Sequence, residues 1–330
     1  MRIRVFLLSA FAAMMLFIGC DLFYVYHAPQ YRPEHAIGIN CGLPDDSTLT
    51  LMENMGVLWI RMSMSWRDIE TEQGEYNWSL IDQRVDAAHN RGFRIYMSIW
   101  ETPEWASESG DANAVPADSV YFREFIEACV ERYDNRIQFW SLWNAPNCNE
   151  YFTGTSTEFR DYIFIPGGMG VRAADPDAYI IGPGLSVQPG WDEWMQEILT
   201  DEARGLLDMV GVQLYVEGDV DEMFEYINPW RGDYIEATPV ATVLSDLELS
   251  NLDLWLDEIG WPLSGYYCVS EEMQARYISD LCWYVYGCTV PYKAFINEII
   301  DDAEALPGSP RYGLIRDDYT PREAYYRVQE

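Results

Sequence analysis

The sequence predicts a single (β/α)8 barrel, and three observations support this fold class. The chain has 330 residues, a length that is common for one barrel of this type. Short apolar runs alternate with longer amphipathic stretches along the chain, which is the pattern of repeated βα units. No glycine-rich phosphate loop follows the first run, which argues against an open doubly wound sheet. A closed parallel barrel satisfies the right-handed crossover rule most simply.

The strands are predicted from runs of apolar, β-branched or aromatic residues. In chain order they are Ala36–Asn40, Val57–Arg61, Phe93–Ser98, Ile137–Asn144, Tyr179–Pro183, Met209–Gln213, Asp253–Glu258 and Lys293–Glu298. Helices are predicted between them, where apolar residues recur at helical spacing. They include Thr48–Met55, Ser79–Arg91, Ser119–Tyr133, Trp191–Leu199, Pro239–Leu249, Glu271–Tyr286 and Pro321–Val328. No repeat suggests a second domain, so we expect residues 36–330 to form one barrel.

The composition is that of a globular and strongly acidic protein. Aromatic residues make up 15% of the chain and charged residues 23%, which excludes a disordered chain. Acidic residues number 54 against 21 basic ones, and Lys293 is the single lysine. A net charge of -33 repels phosphate backbones and anionic lipid headgroups, so no nucleic-acid partner is expected. The simplest interpretation of the charge is solubility.

The N-terminus has the layout of a secretory signal. Two arginines precede an apolar run from Val5 to Ile18, which is short for a membrane span. The run leads to Cys20 through an ending that resembles a bacterial lipoprotein cleavage box. We therefore expect residues 1–19 to be a signal peptide, and residues 20–35 to be a tether lipidated at Cys20 that holds the barrel at the cell envelope. An uncleaved anchor is the alternative, and it also places the barrel outside the cytoplasm.

The remaining cysteines are Cys41, Cys129, Cys148, Cys268, Cys282 and Cys288. Export permits disulfides, but the spacings do not fix the pairing and match no zinc signature. The nearest candidates for a pair are Cys268 with Cys282 or Cys288, and several could simply be buried thiols. No histidine or cysteine cluster suggests a metal, and no cofactor is expected. A serine-hydrolase elbow is also missing from the sequence.

In a (β/α)8 barrel the chemistry lies at the carboxyl ends of the strands. The residues predicted there are Asn40, Arg61, Trp100, Asn144, Gln213, Tyr215, Glu258, Asn297 and Glu298. A purely structural barrel end would need far fewer polar groups, because each buried one must find a partner. We therefore expect a functional site at this end of the barrel.

Motifs that follow or end the predicted second, third, fourth and seventh strands form an ordered set. They are Trp66–Glu70 with Gln73–Trp78, Thr102–Ala106, Phe139–Asn147 and Asp257–Pro262, with closing segments at Tyr312–Leu314 and Pro321–Tyr325. Together they resemble the clan A glycoside hydrolases, retaining enzymes on (β/α)8 barrels, and especially the branch that contains β-xylosidases. The resemblance covers nearly all of the chain beyond residue 36. It implies a carbohydrate ligand and two carboxyl groups about 5–5.5 Å apart that cleave O-glycosidic bonds. We expect the protein to be a monomer.

The resemblance assigns only one of these two carboxyl groups. Glu258 falls where the nucleophile of the family falls, at the end of the seventh strand. The fourth-strand motif of the family reads Trp-Asn-Glu-Pro, but here Ala145 stands at the position of the acid/base glutamate. A methyl group cannot donate a proton, and general acid–base help is typically worth ~10²–10⁴ in rate. Weak activity is therefore expected, although Glu258 could also be a carboxylate that merely pairs with an arginine.

Three explanations of Ala145 stay open. Another carboxylate, such as Glu101, Glu150 or Glu298, could supply the proton. The protein could instead be a non-catalytic glycan-binding pseudoenzyme at the cell surface. Ala145 could also be engineered, but natural divergence is favoured because Gln213 and the eighth strand depart from the family as well. A partner-binding scaffold has no positive support in the sequence.

Other site residues are assigned by resemblance. Asn144 is similar to the family asparagine that hydrogen-bonds a sugar 2-hydroxyl, and is grouped with Glu258 and Ala145 as a catalytic position. Arg61 is similar to the arginine that keeps the nucleophile ionised, and Tyr215 to the tyrosine that orients it. For each of them, the alternative is a buried polar residue whose hydrogen bonds are satisfied.

The substrate-binding set combines polar strand-end residues with aromatic ones. It comprises Arg61, Trp100, Asn147, Tyr151, Gln213, Tyr215, Trp261, Asn297 and Glu298. Within it, Trp100, Tyr151 and Trp261 are expected to stack on sugar rings, whereas most other aromatic residues of a barrel belong to its core.

Overall fold

The computed structural model describes six stretches of the chain. They are residues 36–216, 218–227, 238–265, 267–287, 293–301 and 310–328. The predicted signal peptide and tether, with Cys20, lie outside these residues, as does Cys288. Within the six stretches, no helix is both long enough and apolar enough to span a bilayer.

Eight parallel strands close into a barrel, and they follow one another around it in chain order. They are β1 (Ile37–Gly42), β2 (Trp59–Ser65), β3 (Arg94–Trp100), β4 (Ile137–Ser141), β5 (Tyr179–Ser186), β6 (Met209–Leu214), β7 (Asp253–Ile259) and β8 (Lys293–Asn297). The barrel closes where β1 pairs with β8, with Asn40 opposite Asn297. The predicted (β/α)8 barrel is confirmed, and each predicted strand overlaps an observed one.

Helices alternate with the strands. They are α1 (Asp46–Met55), α2 (Trp66–Ile69), α3 (Ser79–Asn90), α4 (Ser119–Arg132), α5 (Ser156–Phe159), α6 (Ile165–Ala174), α7 (Trp191–Ile198), α8 (Asp201–Arg204), α9 (Val220–Ile227), α10 (Val240–Asp246), α11 (Glu271–Gly287) and α12 (Glu323–Arg327). Residues Arg160–Phe164 form a π-helical link between α5 and α6. Local sequence explains the ends of α1: Asp45 accepts a hydrogen bond from the Thr48 N–H, and Gly56 leaves the helix at a φ of 77°.

The helical segment between β4 and β5 is not predicted by the sequence, because Pro166 and three glycines there are typical of a turn. A Cβ on Gly170 would lie 2.8 Å from the backbone oxygen of Arg123 in α4. A Cβ on Gly167 would lie 2.9 Å from the ring of Phe122. These glycines therefore let α6 pack closely against α4, and tertiary packing outweighs their low helix propensity.

Large side chains fill the lower part of the barrel, towards the amino ends of the strands. Trp59, Tyr96, Trp255 and Phe295 are all buried, and their ring centroids lie 5.4–5.8 Å apart. Lys293 places its ammonium group 4.1 Å from the centre of the Trp59 ring. This aromatic layer fills the barrel interior near the amino ends of the strands, which leaves the carboxyl ends for the polar residues.

The cysteines correct one expectation. Cys268 and Cys282 both carry free thiols, so the pairing of these two residues was wrong. Cys268 is exposed on a loop whereas Cys282 is buried in α11, which keeps the two thiols in different environments. Cys41, Cys129 and Cys148 are free as well.

Candidate active site

Glu258 lies at the carboxyl end of β7, where two side chains hold its carboxylate. Arg61 Nη1 donates to Glu258 Oε1 at 2.6 Å, and the Tyr215 hydroxyl donates to Oε2 at 2.6 Å. The side chain of Arg61 is 1% exposed and that of Glu258 11%. Burial by itself lowers the pKa of the Arg61 guanidinium, but nearby acidic groups, above all Glu258, raise it beyond its ordinary value. The arginine therefore stays charged beside the carboxylate.

A bulge in β7 brings Glu258 to this position. Val212 of β6 pairs with Leu256, but the next residue, Gln213, pairs with Glu258. Asp257 is the extra residue between these two pairs. Bulges re-aim side chains near active sites, and here both Asp257 and Glu258 are buried.

Asn144 is oriented by two donors that share its side-chain oxygen. Gln213 Nε2 donates to Asn144 Oδ1 at 2.8 Å, and Arg61 Nη2 donates to the same atom at 3.0 Å. Because the oxygen is engaged, the amide nitrogen of Asn144 is the group left to meet a ligand. Gln213, at the position where the family that the chain resembles has a histidine, supplies one of these donors from a buried position.

Arg61 also connects the site to β1, β3 and β8. Its Nη1 donates to Asn40 Oδ1 at 3.4 Å, and its Nη2 donates to the Ser98 hydroxyl at 3.2 Å. Asn40 Nδ2 in turn donates to Asn297 Oδ1 at 2.8 Å. Asn40 and Ser98 thus belong to the site, although the predicted binding set does not include them.

Ala145 occupies a turn with unusual backbone angles. Its φ is 40°, and Trp143 has a φ of 138°. Neither angle is common for a residue with a side chain, and such angles concentrate at functional sites. The hydroxyls of Ser98 and Ser141 hold the turn by donating to the Trp143 carbonyl at 3.2 and 3.1 Å. The turn after β4 is therefore well fixed, but Ala145 brings only a buried methyl group to it.

Two predicted aromatic residues lie side by side at the mouth of the barrel. The rings of Trp100 and Tyr151 have centroids 5.8 Å apart and meet edge to face, and both are partly exposed. Tyr312, which the predicted binding set does not contain, has its ring 5.3 Å from that of Tyr215. Only the short Tyr-Gly-Leu motif in the sequence could have pointed to it. Partly exposed aromatic faces of this kind can stack on sugar rings.

The carboxylates around these phenols include Glu298. Burial, followed by the charge of Glu258, raises the pKa of Tyr151, and the same causes raise the pKa of Tyr312 to about 12. The charge of Glu298 also raises the pKa of both phenols, so Glu298 lies near them, at the same end of the barrel as Glu258. Glu298 is half-buried after β8, as is Glu101 after β3, whereas Glu150 is exposed.

Two predicted binding residues support the site instead of facing a ligand. Trp261 is 1% exposed and its indole N–H donates to the Gly218 carbonyl at 2.8 Å, so it cannot be the expected sugar platform. Asn147 binds the backbone of Ser186, donating to its carbonyl at 2.8 Å and accepting from its N–H at 2.9 Å. Both side chains hold neighbouring loops in place. Among the residues described by the structure, no group of three or more acidic, histidine or cysteine side chains could hold a metal ion.

The sequence is similar to known glycan-cleaving enzymes. Residues 40–167 match the family model described as glycosyl hydrolase family 10. The chain is 25% identical over 227 residues to endo-1,4-beta-xylanase 1 of Gibberella zeae, an alignment that covers 65% of this chain and 62% of the relative. The chain thus spans less than two thirds of the length of this relative.

Solved structures share the fold. A family 39 glycoside hydrolase from the gut symbiont Bacteroides cellulosilyticus WH2 superposes with a TM-score of 0.69 at 20% identity, covering 89% of this chain and 63% of its own. Xylanase 10B from Thermotoga petrophila RKU-1, solved in complex with xylobiose, gives a TM-score of 0.60 at 15% identity, covering 89% and 92%. At these identities the likeness is one of fold.

Proposed function

We propose that this chain, a (β/α)8 barrel of the clan A glycoside hydrolase type, binds a poly- or oligosaccharide at the mouth of the barrel and acts slowly on its O-glycosidic bonds through Glu258. The observation that carries the proposal is the placement of the Glu258 carboxylate between Arg61 and Tyr215, 2.6 Å from each. A carboxylate held in this way is fixed in orientation and aimed from the end of β7. Xylan-type sugars are the first ligands to test, because one structural neighbour is a xylanase solved with xylobiose.

The proposed reaction is a double displacement that lacks its usual proton donor. A Glu258 oxygen attacks the anomeric carbon, the bond to the leaving oxygen breaks, and a glycosyl ester forms on Glu258. In the family a glutamate protonates the leaving oxygen, but Ala145 stands there in this chain. The leaving oxygen therefore departs as an anion that takes its proton from solvent. Water then attacks the ester without a general base, which releases the sugar, restores the Glu258 carboxylate and gives a proton to solvent. Without a replacement, both steps lose the ~10²–10⁴ that acid–base help supplies, and only good leaving groups depart readily.

Another carboxylate could replace the proton donor that is missing at Ala145. Glu298 is the strongest candidate among the carboxylates, because it is half-buried and its charge raises the pKa of the same two phenols, Tyr151 and Tyr312, as the charge of Glu258 does. The charge of Glu150 raises the pKa of Tyr151 as well, but Glu150 is exposed. Glu298→Gln should therefore lower any residual turnover of substrates with poor leaving groups, and Glu150→Gln serves as its matched control.

Aryl glycosides with good leaving groups test the proposal. Wild-type protein should release the phenol slowly from at least one of the xyloside, glucoside, galactoside and mannoside. Azide should accelerate turnover by attacking the glycosyl ester, giving a glycosyl azide and freeing Glu258. Glu258→Gln should abolish both reactions. The absence of turnover with every sugar, with and without azide, would reject catalysis.

Ala145 itself favours a second function, that of a glycan-binding protein without catalysis. The turn around it is intact, and Asn144 and the aromatic residues of the mouth are kept, so a sugar could still be bound. Calorimetry with xylo-oligosaccharides separates the two functions. A pseudoenzyme would show no turnover, and its affinity for the sugar would be nearly the same in the wild type and in Glu258→Gln.

The cellular location is a separate proposal that rests on the sequence alone. The apolar run before Cys20 suggests an exported protein whose lipid anchor holds the barrel at the cell envelope. Two measurements test it: incorporation of labelled fatty acid, and fractionation of Cys20→Ala. The wild type should carry the label in the membrane fraction, whereas the variant should lack it. Equal labelling of both would contradict the proposal.

A further inference from the structure

The bulge in β7 buries a second carboxyl group beside Glu258. Asp257 is 0% exposed, and in the part of the chain that the structure describes neither of its oxygens has a hydrogen-bond partner. An isolated carboxylate in such a place is costly, and proteins usually avoid the cost by keeping the group protonated. Asp257 has no part in the reaction proposed above, so its burial calls for another explanation.

Four residues inside the barrel lie around the Asp257 carboxyl group, and we call these polar surroundings the chamber: they are Tyr96, Ser141, Gly184 and Gly211. A Cβ on Gly211 would lie 2.3 Å from Asp257 Oδ2, so only glycine fits opposite the carboxyl group. The Cβ position of Gly184 is 3.7 Å from the same oxygen and 3.6 Å from the Ser141 hydroxyl oxygen. Gly211 thus lets the Asp257 carboxyl group approach the backbone of β6, and Gly184 places no side chain between Asp257 and Ser141.

Other groups at the chamber also lack partners. The Tyr96 hydroxyl and Arg61 Nε are buried without a hydrogen bond to any described residue. Together with the two Asp257 oxygens, they offer several donors and acceptors to the same interior region. A polar space with two to four such partners is where proteins trap water.

We propose that Asp257 is a positioning residue of the Glu258 site: it remains a neutral carboxylic acid solvated by trapped water, and so leaves the charge of Arg61 to Glu258. An ionised Asp257 would be a second anion near Arg61, and would compete with Glu258 for its guanidinium. The effect on sugar binding rests on the proposed function, whereas the protonation state of Asp257 does not.

The charges around Asp257 give the direction of its titration. Burial raises the pKa of Asp257 to about 7, and the charge of Glu258 on β7 adds to this change. The charge of Arg61 on β2 opposes it, as does the hydroxyl of Tyr96 on β3, which lies near the carboxyl group but outside hydrogen-bonding geometry. Asp257 should therefore lose its proton as the pH rises through about 7. Coupling between sites is typically worth about 5-fold or more in affinity, so sugar binding should weaken by about 5-fold from roughly pH 6 to pH 8.5.

Calorimetric titration with a xylo-oligosaccharide across this pH range tests the proposal on the wild type, Asp257→Asn and the control Asp246→Asn. Asp246 is exposed on α10. The wild type and Asp246→Asn should lose about 5-fold in affinity, whereas Asp257→Asn should keep its low-pH affinity throughout. A wild type without the loss, or an Asp257→Asn variant that shows the same loss, would overturn the proposal.

Denaturant unfolding of the ligand-free proteins keeps the test independent of sugar binding. The pKa of Asp257 in the folded protein lies above its ordinary value, so the folded protein binds more protons than the unfolded chain between about pH 4 and pH 7. As the pH rises through this window, the wild type should lose stability relative to Asp257→Asn, and above about pH 7 the difference should stay constant. Asp257→Ser, which leaves the chamber to water, is the second variant in case the first does not fold. A stability difference that is constant with pH would reject the neutral acid. Failure to bind any sugar, with the stability change present, would reject the proposed function alone.

Discussion

Arg61 and Glu258 form a buried ion pair across the barrel, with 2.6 Å between Arg61 Nη1 and Glu258 Oε1. The two residues are 197 positions apart in the chain, so the pair exists only because β2 and β7 belong to the same closed barrel. The ion pair is also the centre of the site, because Arg61 touches Asn40, Ser98 and Asn144 as well.

Arg61→Met should lower the free energy of unfolding strongly. The substitution leaves the buried carboxylate of Glu258 without its partner, and breaking a buried pair in this way costs about 3–5 kcal/mol. Chemical denaturation measures the loss. Arg123→Met is the control, because the Arg123–Glu127 pair is a partly exposed i,i+4 pair on α4 and should contribute less than about 0.5 kcal/mol. Equal losses in the two variants would show that Arg61 does not act through Glu258.

Gln213→Leu should weaken sugar binding by about 2- to 10-fold, because one net hydrogen bond of about 0.5–1.5 kcal/mol no longer orients Asn144. Gln213→His, which restores the residue type of the family and keeps an N–H donor, should bind nearly as well as the wild type. Calorimetry with a xylo-oligosaccharide distinguishes the variants. Unchanged affinity in Gln213→Leu would mean that Arg61 alone suffices to hold Asn144.

Lys293→Met should stabilise the protein most at neutral and acidic pH. Burial, followed by Arg94, lowers the pKa of Lys293 to about 7. The folded protein therefore binds fewer protons than the unfolded chain between about pH 7 and 10.5, and wild-type stability rises with pH across that window. The advantage of Lys293→Met should shrink as the pH rises from 7 towards 10. Unfolding curves at several pH values measure it, and a gain that does not depend on pH would contradict the assigned cause.

Much of the fold and part of the site could be predicted from the sequence. The alternation of apolar runs with amphipathic stretches identified all eight strands, and the motifs at their ends identified the clan A resemblance. The structure brings Arg61, Asn144, Gln213, Tyr215 and Glu258 together. It does so because strand order alone decides which carboxyl ends meet at the mouth of a barrel.

Other features depend on packing that a linear pattern does not record. Trp261 follows a strand end but is buried, since its indole binds the Gly218 carbonyl. The glycines of α6 are typical of a turn, yet they serve a close helix contact with α4. The bulge that buries Asp257 is a change of register between two strands, and it has no signature in either strand alone.

The most direct test of the central claim is to restore the missing carboxyl group. Ala145→Glu, assayed on an unactivated xylo-oligosaccharide, should exceed the wild type by ~10²–10⁴ in rate, because such a leaving group needs a proton donor. Ala145→Gln, which matches the glutamate in size but cannot donate the proton, should stay at the wild-type rate, and adding Glu258→Gln to Ala145→Glu should remove the gain. A folded Ala145→Glu protein that binds the sugar but is no faster than the wild type would contradict the claim that only the proton donor is missing.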